Sequence, residues 1–350
     1  MSVYLKKFET HNEYETYIAS EDKVLPNVSI CEDEKGVCYN PWMPHDYSKD
    51  YFTMVVTASG NIKWSGSITA NTLSYSKDNG KNWSAVTSAD TISVEVGDKI
   101  LWKGTPYPIE YKGIGKFSGD ADVRYSVEGN AMSLLFGDNF KGQTSLYKRY
   151  AFYMLFTLNK NITSAENLSL PATTLAEGCY QRMFSTCANL TTALELPATT
   201  LANSCYESMF YDCHELTTAP SILPATKLAE KCYFNMFHGC YKLTTAPELL
   251  ATTLAKSCCY GMFQSCVKLT SAPELLATTL TESCYYYMFT GCNTLKSITC
   301  LATDISAGYC TTNWVSGVAA SGTFTKAASM TSWTRDVNGI PSGWDVQDAA

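Results

Sequence analysis

LPATTLAEGCYQRMFSTCANLTTALE occupies residues 170–195 and returns four times, as LPATTLANSCYESMFYDCHELTTAPSI (196–222), LPATKLAEKCYFNMFHGCYKLTTAPEL (223–249), LATTLAKSCCYGMFQSCVKLTSAPEL (250–275) and LATTLTESCYYYMFTGCNTLKSITC (276–300). Its first cysteine falls at Cys179, Cys205, Cys232, Cys258 and Cys284, in steps of 26, 27, 26 and 26 residues. The second falls at Cys187, Cys213, Cys240, Cys266 and Cys292 with the same steps. Self-similarity at a fixed period of this length marks a repeat architecture, in which each unit buries its apolar side only against its neighbours. Worn copies flank the array. Upstream, Ala151, Phe156 and Asn159 take the first-cysteine, phenylalanine and second-cysteine places; downstream, Cys310 takes the first, and Trp314-Val315 replaces the Met-Phe pair.

Within each repeat Met183, Met209, Met236, Met262 and Met288 stand four residues after the first cysteine, each followed by Phe184, Phe210, Phe237, Phe263 or Phe289. The i, i+4 spacing predicts a short helical turn with Cys and Met on one face. The Leu-Thr-Thr-Ala-Pro stretch predicts one short strand, and Pro-Ala-Thr-Thr-Leu a reversal of the chain. Eleven of the fifteen cysteines lie in the two columns. Metal ligation needs ligands that converge, as CxxC pairs do. A Cys-x7-Cys pair strung along an array does not, so the cysteines read as small apolar ladder residues, with no metal and no cofactor.

The repeat resembles the BspA-like leucine-rich repeats over roughly residues 150–316. The shared pattern is a Phe, a Cys three residues on and a Leu three further, as in Phe184-Cys187-Leu190 through Phe289-Cys292-Leu295. It departs at Ala193, Ala219, Ala246 and Ala272, where the family has an inward Ile, and at Pro220, Pro247 and Pro273, which break strand hydrogen bonding. The resemblance implies a leucine-rich-repeat-type solenoid of about seven coils over 136–316 with a C-terminal cap over 317–350. It also implies a protein that binds other proteins, surfaces or glycans and is not an enzyme.

Residues 51–135 alternate apolar and polar in short runs separated by Gly, Asn and Asp, which predicts a small antiparallel β-sandwich. Inside it Ser76-Lys-Asp78-Asn-Gly80-Lys-Asn-Trp83 resembles the Asp box of sialidase-like propellers. A single copy reads as a hairpin turn, with glycan hydrolysis the alternative. Residues 1–50 carry ten Asp/Glu against five Lys and read as an anchoring segment, with a short helix over 8–18 and a hairpin that carries Cys31 and Cys38. His11, His45, His214 and His238 occur in unrelated contexts, and no nucleophile elbow, phosphate loop or HExxH motif is present.

The net charge of −7, without a Lys/Arg-rich run, argues against nucleic acid. No apolar stretch approaches the length of a membrane span. The opening residues lack the basic start and apolar run of a secretory signal, which predicts folding in a reducing cytoplasm and free thiols. The opening stretch (Lys7-Phe8-Glu9-Thr10 through Leu25-Pro to Asp33) and the closing Trp333…Asn338-Gly-Ile-Pro-Ser-Gly-Trp344 resemble segments of virion proteins from phages of gut Bacteroidales. That resemblance implies a head fibre, capsid decoration or tail-associated fibre, held to other virion proteins through the N-terminal segment and forming a homo-oligomer. A bacterial surface adhesin and a glycan-active enzyme stand as alternatives. Repeat proteins bind through the side chains that vary between repeats. Here these are Tyr211, His214, Phe234, His238, Tyr241, Tyr260, Tyr286 and Tyr287, whose rings suit a sugar face or a protein hot spot.

Overall fold

The computed structural model of the chain describes residues 31–32, 38–39, 45–66 and 72–349. Met1–Asp46 and Tyr47–Ala350 form two separate units. In the first, β1 (Cys31–Glu32) pairs antiparallel with β2 (Cys38–Tyr39), with Cys31 opposite Tyr39 and Glu32 opposite Cys38, so the two cysteines are not cross-strand partners. The helix expected over 8–18 and most of the anchoring segment lie outside the described residues.

In the second unit, strands of alternating burial build two sheets. β3 (Phe52–Ala58), β5 (Leu73–Ser76), β6 (Ser84–Ala85), β8 (Lys99–Gly104), β10 (Arg124–Asn130) and β11 (Ile162–Ser169) form one, in the order β11-β10-β3-β8-β5-β6. β4 (Gly60–Ser65), β7 (Thr91–Val94) and β9 (Lys116–Gly119) form the other, in the order β7-β4-β9. Their pairings are antiparallel except β10 with β11, which is parallel. β4 shows the expected alternation: Ile62 and Trp64 are buried and Lys63 and Ser65 exposed. Phe117 on β9 joins the two sheets, packing on Phe52 at 5.8 Å and edge-on to Trp102 at 4.8 Å. A single-turn helix α1 (Ser133–Phe136) follows β10. Ser133 Oγ accepts the Phe52 N–H and donates to the Trp102 carbonyl, which ties the helix to the sheet.

The fold expected for the repeats is corrected by the structure. There is no leucine-rich-repeat-type solenoid with a strand and a helical turn in each coil. Among the described residues the chain is almost entirely strands and turns with that one short helix, in several small sheets, none of them closed. Two causes are visible. First, the strands fail where proline removes a donor. Between Pro220 and Pro273 they shrink to β12 (Ile222–Leu223) and β13 (Glu248–Leu249), a two-residue parallel pair. The longer strands lie outside the array: β11 before it, and after it β14 (Ser297–Cys300), parallel to β15 (Thr323–Lys326), which in turn pairs with β16 (Asp345–Asp348). Residues 190–196 of the first repeat carry no proline and still make only an isolated bridge at Thr192.

Second, the Cys-to-Met segment is a run of turns. Every fourth residue has a positive φ: Gly178, Arg182 and Thr186 in one repeat, Ser204, Ser208 and Asp212 in the next. A left-handed residue at that interval ends any helix before it propagates. The backbone donors divide in two. Cys179, Gln181, Met183, Ser185 and Cys187 donate three residues back, at 3.1–3.3 Å. Gly178, Tyr180, Arg182, Phe184 and Thr186 donate to carbonyls of the following repeat, at 2.6–3.0 Å. Successive repeats are therefore hydrogen-bonded in register, and equivalent side chains stack.

Two buried columns result. Phe156, Phe184, Phe210, Phe237, Phe263 and Phe289 stack ring on ring at 5.2–5.9 Å, and Phe117 continues the file into the sheets at 5.6 Å from Phe156. Phe152, Tyr180, Tyr206 and Tyr233 form the second, at 5.5–6.0 Å. Buried Cys259 takes the ring's place in the next repeat and Tyr285 in the one after. Trp314 closes both columns, lying 6.2 Å from Tyr285 and from Phe289, and its indole N–H donates to the Gly339 carbonyl. No helix among the described residues is long and apolar enough to cross a membrane.

Candidate binding surface

The residues that vary between repeats come together in files on the outer side of the turns. Two places after the first cysteine, Phe234 stacks on Tyr260 at 4.6 Å and Tyr260 on Tyr286 at 4.9 Å. Tyr287 stands edge-on to Tyr286 at 4.3 Å, with its backbone at φ 56°. Tyr211 stacks on His238 at 4.8 Å, and His214 on Tyr241 at 4.7 Å. These separations match the distance between parallel hydrogen-bonded backbones, about 4.8 Å, so register alone brings each ring onto its neighbour. The eight rings cover one another. Seven are half-buried, and only Tyr241 is exposed, at 43%.

His238 lies on Tyr211 with Asp212 and the Gln264 side chain beside it. Its burial, opposed in part by Asp212 and Gln264, holds the imidazole below the ordinary histidine range. His214 Nε2 is 3.7 Å from the Asp212 carboxylate. Offset stacking of this kind contributes about 0.5–1.5 kcal/mol per pair and keeps the rings from collapsing into other rotamers. The face is rigid, aromatic and edged by hydroxyl and imidazole groups.

The ladder residues are elsewhere. Cys179, Cys205, Cys232, Cys258 and Cys284, and Cys187, Cys213, Cys240, Cys266 and Cys292, are buried free thiols. The second column bonds one repeat to the one before it. Each Sγ–H donates to the phenylalanine carbonyl of the preceding repeat, Cys213 to Phe184, Cys240 to Phe210, Cys266 to Phe237 and Cys292 to Phe263, at 3.0–3.2 Å. Burial raises nine of these ten thiols, Cys205 and Cys213 to about 12. At Cys258 burial is outweighed by hydrogen bonds, that of the Cys259 side chain foremost, and the thiol is lowered. Among the described residues no group of three or more His, Cys, Asp or Glu side chains is placed to hold a metal ion.

The Ser-Asp-Gly-Trp turn holds itself. Ser76 Oγ accepts the Gly80 N–H at 2.9 Å, Asp78 Oδ1 accepts the Asn82 N–H at 2.9 Å, and the Trp83 indole N–H donates to the Gly80 carbonyl at 3.1 Å. Hydrogen bonds to the carboxylate, the Asn82 N–H first, bring the Asp78 carboxyl down to about 2. Lys103 Nζ sits 4.2 Å from the Trp83 ring centre. His11 lies outside the described residues.

Sequence reading missed the left-handed positions, although their residues (Gly, Ser, Asn, Asp at every fourth place in several repeats) carry the signal. It also missed a groove beside Tyr111, whose walls come from segments far apart in the chain. No family model, no curated protein and no solved structure matches the chain.

Proposed function

We propose that this protein is a non-enzymatic binding protein of a virion surface, a head fibre, capsid decoration or tail-associated fibre, and that it presents the aromatic and histidine files to a host-surface glycan or protein. The observation that carries the binding reading is the register-locked face of Phe234, Tyr260, Tyr286 and Tyr287 beside the Tyr211–His238 and His214–Tyr241 pairs. Rings held in place before a ligand arrives lose little entropy on binding, and each offers an apolar face with a polar edge. Placement on a virion is supported by the resemblance of the opening and closing segments to phage virion proteins. On this reading residues 1–50 engage other virion proteins, and the chain acts as a homo-oligomer.

The test is Tyr241→Ser with Tyr286→Ser and Tyr287→Ser, compared with the parent for attachment to host cells and to isolated host glycan. Weakened attachment with an unchanged melting transition supports the proposal. Unchanged attachment with failed particle assembly or oligomerisation would make the face a subunit interface instead. Detection of the chain in purified particles tests its placement, and recovery in host envelope fractions alone would overturn it.

A further inference from the structure

A second site lies where the β4–β9 end of the three-stranded sheet meets the first, worn repeat. A groove of about 240 Å³ opens there between Tyr111, Lys112 and Lys116 on one side and Tyr153 on the other, with Gly66 and Gly115 at its base. The base has no side chains because none fits. A Cβ on Gly115, whose φ is +120°, would lie 2.6 Å from Trp64 and 2.7 Å from the Ser65 carbonyl. A Cβ on Gly66 would lie 2.8 Å from the Ile114 carbonyl. Beneath this floor the Trp64 indole N–H is buried and has no partner among the described residues. Tyr111 is 61% exposed, yet it is held: its ring rests on Tyr150 at 4.4 Å, and the Lys112 and Gly113 N–H groups both donate to the Ile109 carbonyl. Tyr153 stands edge-on to Tyr150 at 5.8 Å.

The charges around the groove are unbalanced. Glu110 and Glu177 are taken by Arg149, at 3.4 and 2.9 Å. Lys112 and Lys116 are exposed and have no carboxylate partner among the described residues. In a chain of net charge −7 this is a local excess of cation against two tyrosine rings. A free inorganic anion would use the lysines and leave the rings idle. A neutral sugar would use the rings and leave the lysines unpaired. A ring with an apolar face and a carboxylate uses both.

We propose that this groove binds a carboxylate-bearing sugar residue of an acidic polysaccharide, with the sugar face against Tyr111 and the carboxylate between Lys112 and Lys116. The site is separate from the aromatic files and does not depend on the role given to them. The test is calorimetric titration of the full-length chain with tetragalacturonate, with maltotetraose and inorganic phosphate as comparison probes. Tetragalacturonate binds more tightly than maltotetraose, and its affinity falls as salt rises. Lys112→Gln with Lys116→Gln, and separately Tyr111→Ser, each weaken it by about tenfold. Lys112 and Lys116 are exposed, so the lysine changes leave the melting transition in place, whereas Tyr111→Ser lowers it only by the loss of the Tyr150 ring contact. The triple serine variant of the aromatic files leaves tetragalacturonate binding unchanged. Equal affinity for the acidic and neutral tetramers would overturn the proposal. So would displacement by phosphate at matching concentration with Tyr111→Ser binding normally, since that is the behaviour of a basic patch alone.

Discussion

Replacing Phe237 by alanine removes the ring at the middle of the longest buried file. Phe237 is fully buried and lies between Phe210 at 5.5 Å and Phe263 at 5.6 Å, each within 6° of parallel. Truncation of a fully buried phenylalanine costs ~3–5 kcal/mol when the surroundings cannot close in. Here they cannot, because the backbones on either side are held apart by register hydrogen bonds such as Phe237 N–H to the Met262 carbonyl at 2.9 Å. The loss therefore belongs at the upper end, about 4–5 kcal/mol, with two stacking contacts included in it. Phe234 is the internal control. It lies three residues away in the same repeat but is half-buried and stacks on one ring, Tyr260, so Phe234→Ala costs roughly 1–2 kcal/mol. Guanidinium unfolding followed by circular dichroism, with m-values compared, reads both. Equal midpoint shifts for the two variants would refute the division into buried and outer files.

The thiols give a second outcome: native protein reacts slowly with a thiol reagent and denatured protein quickly, because burial blocks access and, at the ladder cysteines other than Cys258, suppresses the thiolate; fast native reaction at the ladder cysteines would contradict their placement. Lys231 has φ 54° and an exposed side chain, so Lys231→Gly is neutral or stabilises by up to ~1 kcal/mol, whereas in a helical turn it would destabilise by about that amount; the sign of the melting shift distinguishes the two conformations. His238 is held below the ordinary histidine range, so the unfolded chain binds a proton that the folded chain resists. Its contribution is intact above pH ~6.5 and is lost as the pH falls below that value, and His238→Gln flattens the slope of stability against pH in that window; identical slopes for the variant and the parent would remove His238 from the account.

Much of the arrangement was legible in the repeat because chain spacing is covalent. A residue that returns every 26 or 27 positions must stack once the repeats align, and that places Cys187 under Cys213 and Phe234 beside Tyr260 with no knowledge of the backbone between them. The conformation of that backbone was not legible. Cys and Met four residues apart share a face in an α-helix, and they also share one in a run of turns with a left-handed residue at every fourth place. The spacing fits both, and the helix was the wrong choice. What selected the turns is a competition between hydrogen bonds: alternate N–H groups bond to the next repeat and only the others bond locally, a pattern a helix cannot offer. The sequence displays one reason the expected strands fail, the prolines at 220, 247 and 273, but the proline-free 190–196 makes no strand either, so how far each strand extends depends on partners in neighbouring repeats.

The sequence by itself determined the period, the file to which each side chain belongs and which residues vary along the outer face. Only the tertiary structure decided how the turns run, how far the variable rings cover one another, and that the file of Phe156 continues through Phe117 into the sheets. It alone assembled the groove of Tyr111, Lys112, Lys116 and Tyr153 over Gly66 and Gly115. The physical reason is the range of the interactions. Stacking files follow from regular spacing along the chain, whereas the groove depends on the close approach of distant backbones, which no local pattern encodes.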